Sequence, residues 1–541
     1  MDRERIGFLN QILIMTAVVI LLCVFLNRIS NKLGIPVLLA FILLGMVFGS
    51  DGLIKIPFDN YEFVEKICSA ALIFIMFYGG FGTNWNEAKP VAAKAILLST
   101  LGVILTAGFT GVFCHFVLGI KWIESFLIGA LLGSTDAASV FSILRSKRLN
   151  LRYNTASLLE VESGSNDPCA YMMTAVLLAV MQGTASGGKL AYMIFAQIVY
   201  GLIAGAVIAF FAIIALKKFR FTTAGFDTVF VVAVAVLAYA LPSALGGNGY
   251  LSTYIVGIIL GNANIKNKKT LVPFFDGING LMQMLIFFLL GLLSFPSKLL
   301  PVVVPSLLIA VFMTFVSRPL AVFSILTPFK SKISQQLVVS WCGLRGAASI
   351  VFAVMAMMTV NTENDVFHIV FCVVLFSILL QGSLLPLVAK KLNMIDNSSD
   401  VMKTFNDYCD EEPVQFIKFK IAETHKWCGK SVKDILLPPD TILVLLIRGD
   451  EHIVPNGKTK LLKDDIFILC AKSTGNIKGV QLTEKHITAG DKYIGTALSD
   501  IKDNDMLIIM IKRKGKVIIP QGNTQIKKDD ILVLNHRTVE E

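Results

Sequence analysis

The sequence predicts an α-helical polytopic membrane protein of about thirteen spans containing an inverted repeat of broken, crossing helices, followed by an α+β domain on the cytoplasmic side. Three observations carry that prediction. First, the 541 residues are 55% hydrophobic and only 16% charged, with a mean hydropathy of +0.70, whereas an ordinary soluble domain carries about 25% charged residues. That composition excludes a conventional cytosolic enzyme. Second, a short motif of the apolar part recurs where the chain must run in the opposite direction. Third, the chain beyond Met394 turns polar and repeats itself.

A spanning helix needs roughly 20 mostly apolar residues. Candidates lie at residues 10–27, 34–50, 64–82, 91–118, 122–144, 154–181, 190–216, 226–244, 248–263, 271–294, 299–326, 334–360 and 364–389. The first follows MDRERIGFLN, runs apolar to Phe25 and has no small-residue cleavage site, so it reads as a retained span. The ninth is short and glycine-rich, and Pro305 can split the eleventh.

Orientation follows from Lys and Arg, which accumulate in cytoplasmic loops. With the N-terminus outside, 17 basic residues fall in inside segments and 6 outside (Arg3, Arg5, Lys55, Lys121, Lys189 and Lys298), a ratio that supports both the span count and the hand. The formal net charge of +11 resides wholly in residues 1–394, which hold 27 basic and 16 acidic residues; residues 395–541 hold 22 of each. A nucleic-acid partner, which would need a basic soluble face, loses its support. Nine cysteines without a CxxC, and no His at ligand spacing, suggest packing residues rather than a zinc site or disulfides. His115 and His368 read likewise as interfacial or packing residues. No cofactor is expected.

Residues 395–413 form a polar, acidic linker. Beyond it, Gly429, Asp434 and Ile435 recur at one constant offset as Gly495, Asp500 and Ile501. After a one-residue gap, Pro455, Gly457, Lys463-Asp464-Asp465 and Leu469 recur as Pro520, Gly522, Lys528-Asp529-Asp530 and Leu534. Two small α+β modules, 414–480 and 481–541, fit this pattern.

Within the apolar part, GSTDAASV at Gly133–Val140 resembles GLRGAASI at Gly343–Ile350 at a constant offset of 210. The copies lie in spans 5 and 12. An odd separation of seven spans makes them antiparallel, the signature of an inverted-topology repeat whose helices break near the midplane.

Ionisable groups in the bilayer need a partner or a function, since each costs about 2.5–3.5 kcal/mol on insertion scales. Asp136 lies roughly 21 Å from the outer end of span 5 at 1.5 Å per residue. Asp167 lies roughly 20 Å from the inner end of span 6 by the same rise. Span 6 also carries Glu160 and Glu162. Glu162 with Asn166, and Ser163 with Asp167, are i,i+4 pairs expected on one stripe. Pro168 should free the Gly164 carbonyl. The result is a cluster of hard oxygens suited to a monovalent cation. Arg318 and Arg345 can balance some of the acids but not four of them; Glu160, nearest the basic Arg145–Arg152 loop, reads as a static partner of that loop. A carboxylate out of water holds its proton to higher pH because burial disfavours its charged form. Proton and cation then compete for one place, and exchange follows if only the neutralised site can cross.

GSTDAASVFSILR, LLEVESGSNDP and SWCGLRGAASIVFA resemble, in order and spacing, the signature segments of NhaP-type monovalent cation/proton antiporters. GIPVLLAFILLGMVFGSDG and GGNGYLSTYIVGIILGN are similar to further family segments, so the resemblance covers roughly residues 10–390. It implies an NhaA-like fold and a homodimer in the cytoplasmic membrane, with a core of spans 4–6 and 11–13 moving against a scaffold that includes spans 7–10. It implies that Asp167 carries the proton or the ion (K+ or Na+), and that Asp136, the Thr135 carbonyl, Glu162 and Ser163 complete the cation site. Asn166, Arg345 and Arg318 would be structural partners, and Asn166, where electrogenic relatives have a second Asp, implies electroneutral exchange. Tyr78 in FYGGFGTNW stands where relatives commonly have an acid. The C-terminal repeat resembles two TrkA-C modules, which implies regulation by a small ligand such as cyclic di-AMP or an ion, and tilts the substrate towards potassium. No GxGxxG nucleotide fold precedes them. Two other readings stay open. A ligand-gated cation channel would suit the modules, although no TVGYG-like filter is present. A sodium-coupled symporter would need an organic-solute pocket that these residues do not suggest.

Overall fold

The computed structural model describes residues 2–536 apart from 34–35, 148, 185, 219–224, 266–267, 397–413, 422, 424, 439–440, 450, 473–480, 488–490, 492, 502–505, 514–515, 519 and 521. The chain divides into two compact units, Met1–Asp410 and Glu411–Glu541. The expected linker lies, from residue 397 on, outside the described residues.

Among the described residues, the first unit is built of helices, with one isolated antiparallel bridge between Leu151 and Ile395. Its elements are α1 (Asp2–Leu33), α2 (Val37–Phe48), α3 (Tyr61–Gly82) and α4 (Ala92–Leu118), then α5 (Trp122–Leu131), α6 (Ala137–Ser146), α7 (Thr155–Met181) and α8 (Gly187–Lys218). They continue with α9 (Phe226–Ala244), α10 (Gly249–Asn262), α11 (Lys268–Leu293), α12 (Pro296–Leu326), α13 (Ile333–Trp341), α14 (Ala347–Thr359) and α15 (Val366–Lys391). A single turn, Trp85–Ala88, precedes α4. Among the described residues, seven helices (α3, α4, α8, α9, α11, α12 and α15) are long and apolar enough to cross a membrane. Local signals start and stop them. The Asn60 side chain accepts from the Phe63 N–H at the start of α3, Asn248 does the same for Leu251 on α10, and Gly119 ends α4 in the left-handed region at φ 71°.

Two of the expected spans are not continuous helices. Residues 132–136 separate α5 from α6, and residues 342–346 separate α13 from α14, in the two copies of the internal motif. Non-helical backbone at membrane depth persists only where its polar groups find partners inside the protein. Here the two breaks supply them to each other: Asp136 N–H donates to the Leu344 carbonyl at 2.7 Å, and the Arg345 guanidinium donates to the carbonyls of Leu132 and, at 3.1 Å, Ser134. The Arg345 N–H goes to Ser377 Oγ at 3.0 Å. Gly346 is required by the crossing, since a Cβ there would stand 2.5 Å from the Asp136 Cβ.

The long helices around the breaks carry π-helical turns at Leu98–Gly102, Met313–Ser317 and Ser377–Gly382. In α12 the irregularity thus falls at Met313–Ser317, while Pro305 sits inside regular helix. A π turn widens the backbone by one residue and often marks a functional position; this one leads directly into Arg318. Pro168 is likewise accommodated within α7, and its carbonyl accepts from Asn248 Nδ2 at 2.9 Å.

The second unit holds two four-stranded antiparallel sheets of identical topology. β1 (Val414–Lys420), β2 (Thr441–Arg448), β3 (Glu451–Ile453) and β4 (Ile466–Lys472) are ordered β1-β4-β2-β3. β5 (Gln481–His486), β6 (Met506–Arg513), β7 (Lys516–Ile518) and β8 (Ile531–His536) are ordered β5-β8-β6-β7. The repeat extends to irregularities: the register shifts between Leu443 and Leu445 in β2 and between Ile508 and Met510 in β6. The KDD motif makes the turn before β4 and β8, with Asp464 and Asp529 at positive φ and the next aspartate wholly buried. Asp465 pairs with Arg448 through Nε and Nη2, both at 2.8 Å, and Asp530 pairs with Arg513 through the same atoms, both at 2.7 Å. Burial works to raise Asp465, but the hydrogen bonds from Arg448 and the Leu462 N–H, with the Arg448 charge, outweigh it and hold the carboxyl below its ordinary range. For Asp530 the Arg513 hydrogen bonds are the largest influence, and the result is the same.

Candidate functional site

The breaks place α6 and α7 side by side. Their loop residues Ser134, Thr135 and Asp136, with Ser163 and Asp167, line a cavity of about 570 Å³. Ser134 donates its hydroxyl to Asp167 Oδ1. Ser163 donates to the Thr135 carbonyl at 2.7 Å and accepts from the Ala137 N–H at 3.0 Å. Asp136 caps the following helix, accepting from the Ser139 N–H at 3.2 Å and from the Ser139 hydroxyl. Asp167 is 7% exposed. Carboxylate, hydroxyl and carbonyl groups therefore come together on the cavity lining, a donor set suited to a hard cation.

Of the residues expected there, Asp136, Thr135, Ser163 and Asp167 line the cavity, and so does Glu160. Glu162 and Asn166 do not. The single stripe expected from their spacing divides into two rows, because consecutive helical residues are about 100° apart at 3.6 per turn. Ser163 and Asp167 face the cavity; Glu162, 1% exposed, and Asn166, fully buried, lie behind it. The Glu162 carboxylate is ion-paired with Arg318 in a wholly buried contact. Asn166 Nδ2 donates to Thr135 Oγ1 at 2.5 Å, a contact that ties α7 to the break. Arg345 is engaged with the carbonyls of the other break.

Some site residues escaped the sequence reading. Ser134 and Ser139 lie within the GSTDAASV motif itself and bracket Asp136, one of them bonded to each aspartate. Asp276, Asn279 and Gln283, on α11, also line the cavity. Asp276 is an acid inside an apolar segment, and the insertion-cost argument that singled out Asp136 would have found it. Tyr78, noted for the acid it replaces, donates its hydroxyl to Asp276 Oδ1 at 2.5 Å. In the second unit Arg448 and Arg513 belong to the repeat, each closing the second strand of its module onto the buried aspartate. His368, read as a packing residue, is buried with Nδ1 2.7 Å from Asp365 Oδ2 and Nε2 accepting from the Phe295 N–H at 3.2 Å.

Comparison with known proteins matches residues 16–391 to the transmembrane sodium/hydrogen exchanger family, and residues 416–475 and 482–534 to the TrkA-C domain. A K(+)/H(+) antiporter NhaP of Alkalimonas amylolytica is 32% identical over 85% of this chain and 81% of its own length. A K(+)/H(+) antiporter NhaP2 of Shewanella baltica is 32% identical over 85% and 80%. Among solved structures, the sodium proton antiporter MjNhaP1 of Methanocaldococcus jannaschii superposes with a TM-score of 0.63 at 25% identity, covering 71% of this chain and 99% of that one.

Proposed function

The chain belongs to the sodium/hydrogen exchanger family and carries two TrkA-C domains, and from that premise we propose that it exchanges a monovalent cation, potassium ahead of sodium, for protons by alternating access. Its relatives named as K(+)/H(+) antiporters and its TrkA-C domains support potassium. One observation supports the mechanism: Asp167 lines the same cavity as Thr135 and Asp136 of the broken helix, and accepts the hydroxyl of Ser134 from that break. A proton on Asp167, or a cation held by Asp167, Asp136, the Thr135 carbonyl and Ser163, neutralises the site. Each occupant excludes the other because they use the same oxygens. The charged empty site cannot cross, since moving an unneutralised carboxylate through a dry region costs several kcal/mol. With Asn166 neutral, one exchangeable carboxylate gives one proton per cation and electroneutral exchange.

On this reading the protein is a dimer in the cytoplasmic membrane with about thirteen spans, those of residues 122–144 and 334–360 forming the inverted pair. Its N-terminus is outside and the C-terminal unit inside, where the modules 414–480 and 481–541 regulate exchange by binding a small ligand such as cyclic di-AMP or an ion. The test is purified protein in liposomes with a pH-sensitive dye, challenged with potassium, sodium, lithium or rubidium. Proton flux with at least one cation, and its loss in Asp167→Asn at normal expression, is expected. Unaltered exchange in that variant refutes the mechanism; conductance without a proton gradient would favour a channel.

A further inference from the structure

The cavity has polar lining from α11 as well as from the broken helix and α7. Asp276, Asn279 and Gln283 lie on α11 at i, i+3 and i+7, which puts their side chains on one face, and all three line the cavity. The Asn279 Oδ1 atom is shielded from solvent and has no hydrogen-bond partner. An amide oxygen in that state is an unfilled acceptor, and buried acceptors are ordinarily satisfied. Asp276 is held in place by the Tyr78 hydroxyl at 2.5 Å, which leaves its second oxygen available to a ligand. Among the described lining residues are the carboxyl groups of Asp136, Asp167 and Asp276, and no Lys or Arg. Such a cleft concentrates cations.

We propose that the Asp276, Asn279 and Gln283 face of α11 is a second monovalent-cation site, at which the transported ion is captured and partly stripped of water before it reaches Asp167. The donors are one carboxylate and two amide oxygens, the hard oxygens an alkali cation requires. Because Asp276, Asn279 and Gln283 stand on a different helix from Asp167, the site can be emptied without disturbing the carrier carboxylate. It rests on the exchange reading for its cargo, but binding at it does not require exchange.

The experiment uses the full-length purified protein and radioactive rubidium as probe. In liposomes, Asp276→Asn and Asn279→Leu should each raise the half-saturating potassium or rubidium concentration about five- to tenfold, the loss expected from one ligand contact, while the maximal rate stays within about twofold. In detergent, Asp167→Asn should retain weak rubidium binding that disappears when Asp276→Asn is added. If exchange itself fails in the wild type, the binding arm still decides the question. Unchanged half-saturation in both variants overturns the proposal, as does rubidium binding by Asp167→Asn that is indifferent to Asp276.

Discussion

The buried pair of Glu162 and Arg318 gives a prediction that separates a structural role from ion ligation. Both side chains are sequestered, at 1% and 3% exposure. They touch through a single contact, Arg318 Nη2 to Glu162 Oε1, and both Glu162 Oε2 and Arg318 Nε lack a hydrogen-bond partner. Removing one member of a buried pair strands a charge and costs about 3–5 kcal/mol. With one contact rather than a bidentate fork, the low end applies, so Glu162→Gln and Arg318→Met should each cost about 3 kcal/mol, roughly a hundredfold in equilibrium terms. Replacing both by apolar residues of similar volume, Glu162→Leu with Arg318→Met, removes the desolvation cost of both charges and should be neutral or stabilising by about 1–4 kcal/mol. The assay is thermal unfolding of the solubilised full-length protein, single variants beside the double, with proton flux measured on the same preparations. The double variant should melt at or above the wild type and both single variants well below it. Single variants that each lose under about 1 kcal/mol, or losses that simply add in the double, refute the argument. A Glu162→Gln variant of normal stability with a raised half-saturating cation concentration would return Glu162 to the ion site.

Three further outcomes are expected. Gly346→Ala places a Cβ 2.5 Å from the Asp136 Cβ and 3.0 Å from its Oδ2; at φ −128° the backbone itself tolerates alanine, so the effect is steric, a loss of about 1–3 kcal/mol from overpacking with transport abolished, and wild-type flux would show that the breaks do not need this contact. Asn166→Asp adds a titratable carboxyl where Thr135 is held at 2.5 Å, and if stoichiometry follows carboxylate count, exchange should become sensitive to an imposed membrane potential in liposomes; continued indifference counts against the electroneutral assignment. Asp465 and Asp530 have folded pKa values held below the unfolded value, so their stabilisation is present above the unfolded carboxyl range and is lost as pH falls through the lower folded value. Hydrogen exchange on the full chain should therefore show Asp465→Asn weakening protection of β2 and β4 at neutral pH by about 2 kcal/mol, with the gap to wild type closing below about pH 4; a gap that persists in acid would mean the aspartate acts by packing rather than charge.

Much of the site was legible because intramembrane chemistry is conspicuous against an apolar background. Asp136, Asp167, Arg318 and Arg345 stand out for their insertion cost, and the repeated Gly-x-x-x-Ala-Ala-Ser motif points to the two breaks. The likeness of the C-terminal halves extends to strand order and bulge position, as two sequences with matched turn residues and matched hydrophobic runs would require. The division of α7 into a cavity row and a buried row was less accessible. Glu162 and Ser163 are adjacent in sequence and both hydrophilic, and only the placement of Arg318, five helices further along the chain, shows that Glu162 is the one turned away from the cavity.

By itself the sequence determined that the chain lives in a bilayer, roughly where most of its apolar helices lie, that Asp136 and Asp167 are too costly there to be accidental, and that its tail is a tandem repeat. These follow from composition, local hydrogen-bonding needs and periodicity, each of which acts over a few turns of chain. The tertiary structure decided which acids face the cavity, that Arg345 is spent on the carbonyls of the opposite break, and that α11 contributes a polar wall to the same space. These depend on contacts between segments far apart in the chain, whose orientation is set by how helices pack, and no local pattern encodes which side of a helix its distant partner will cover.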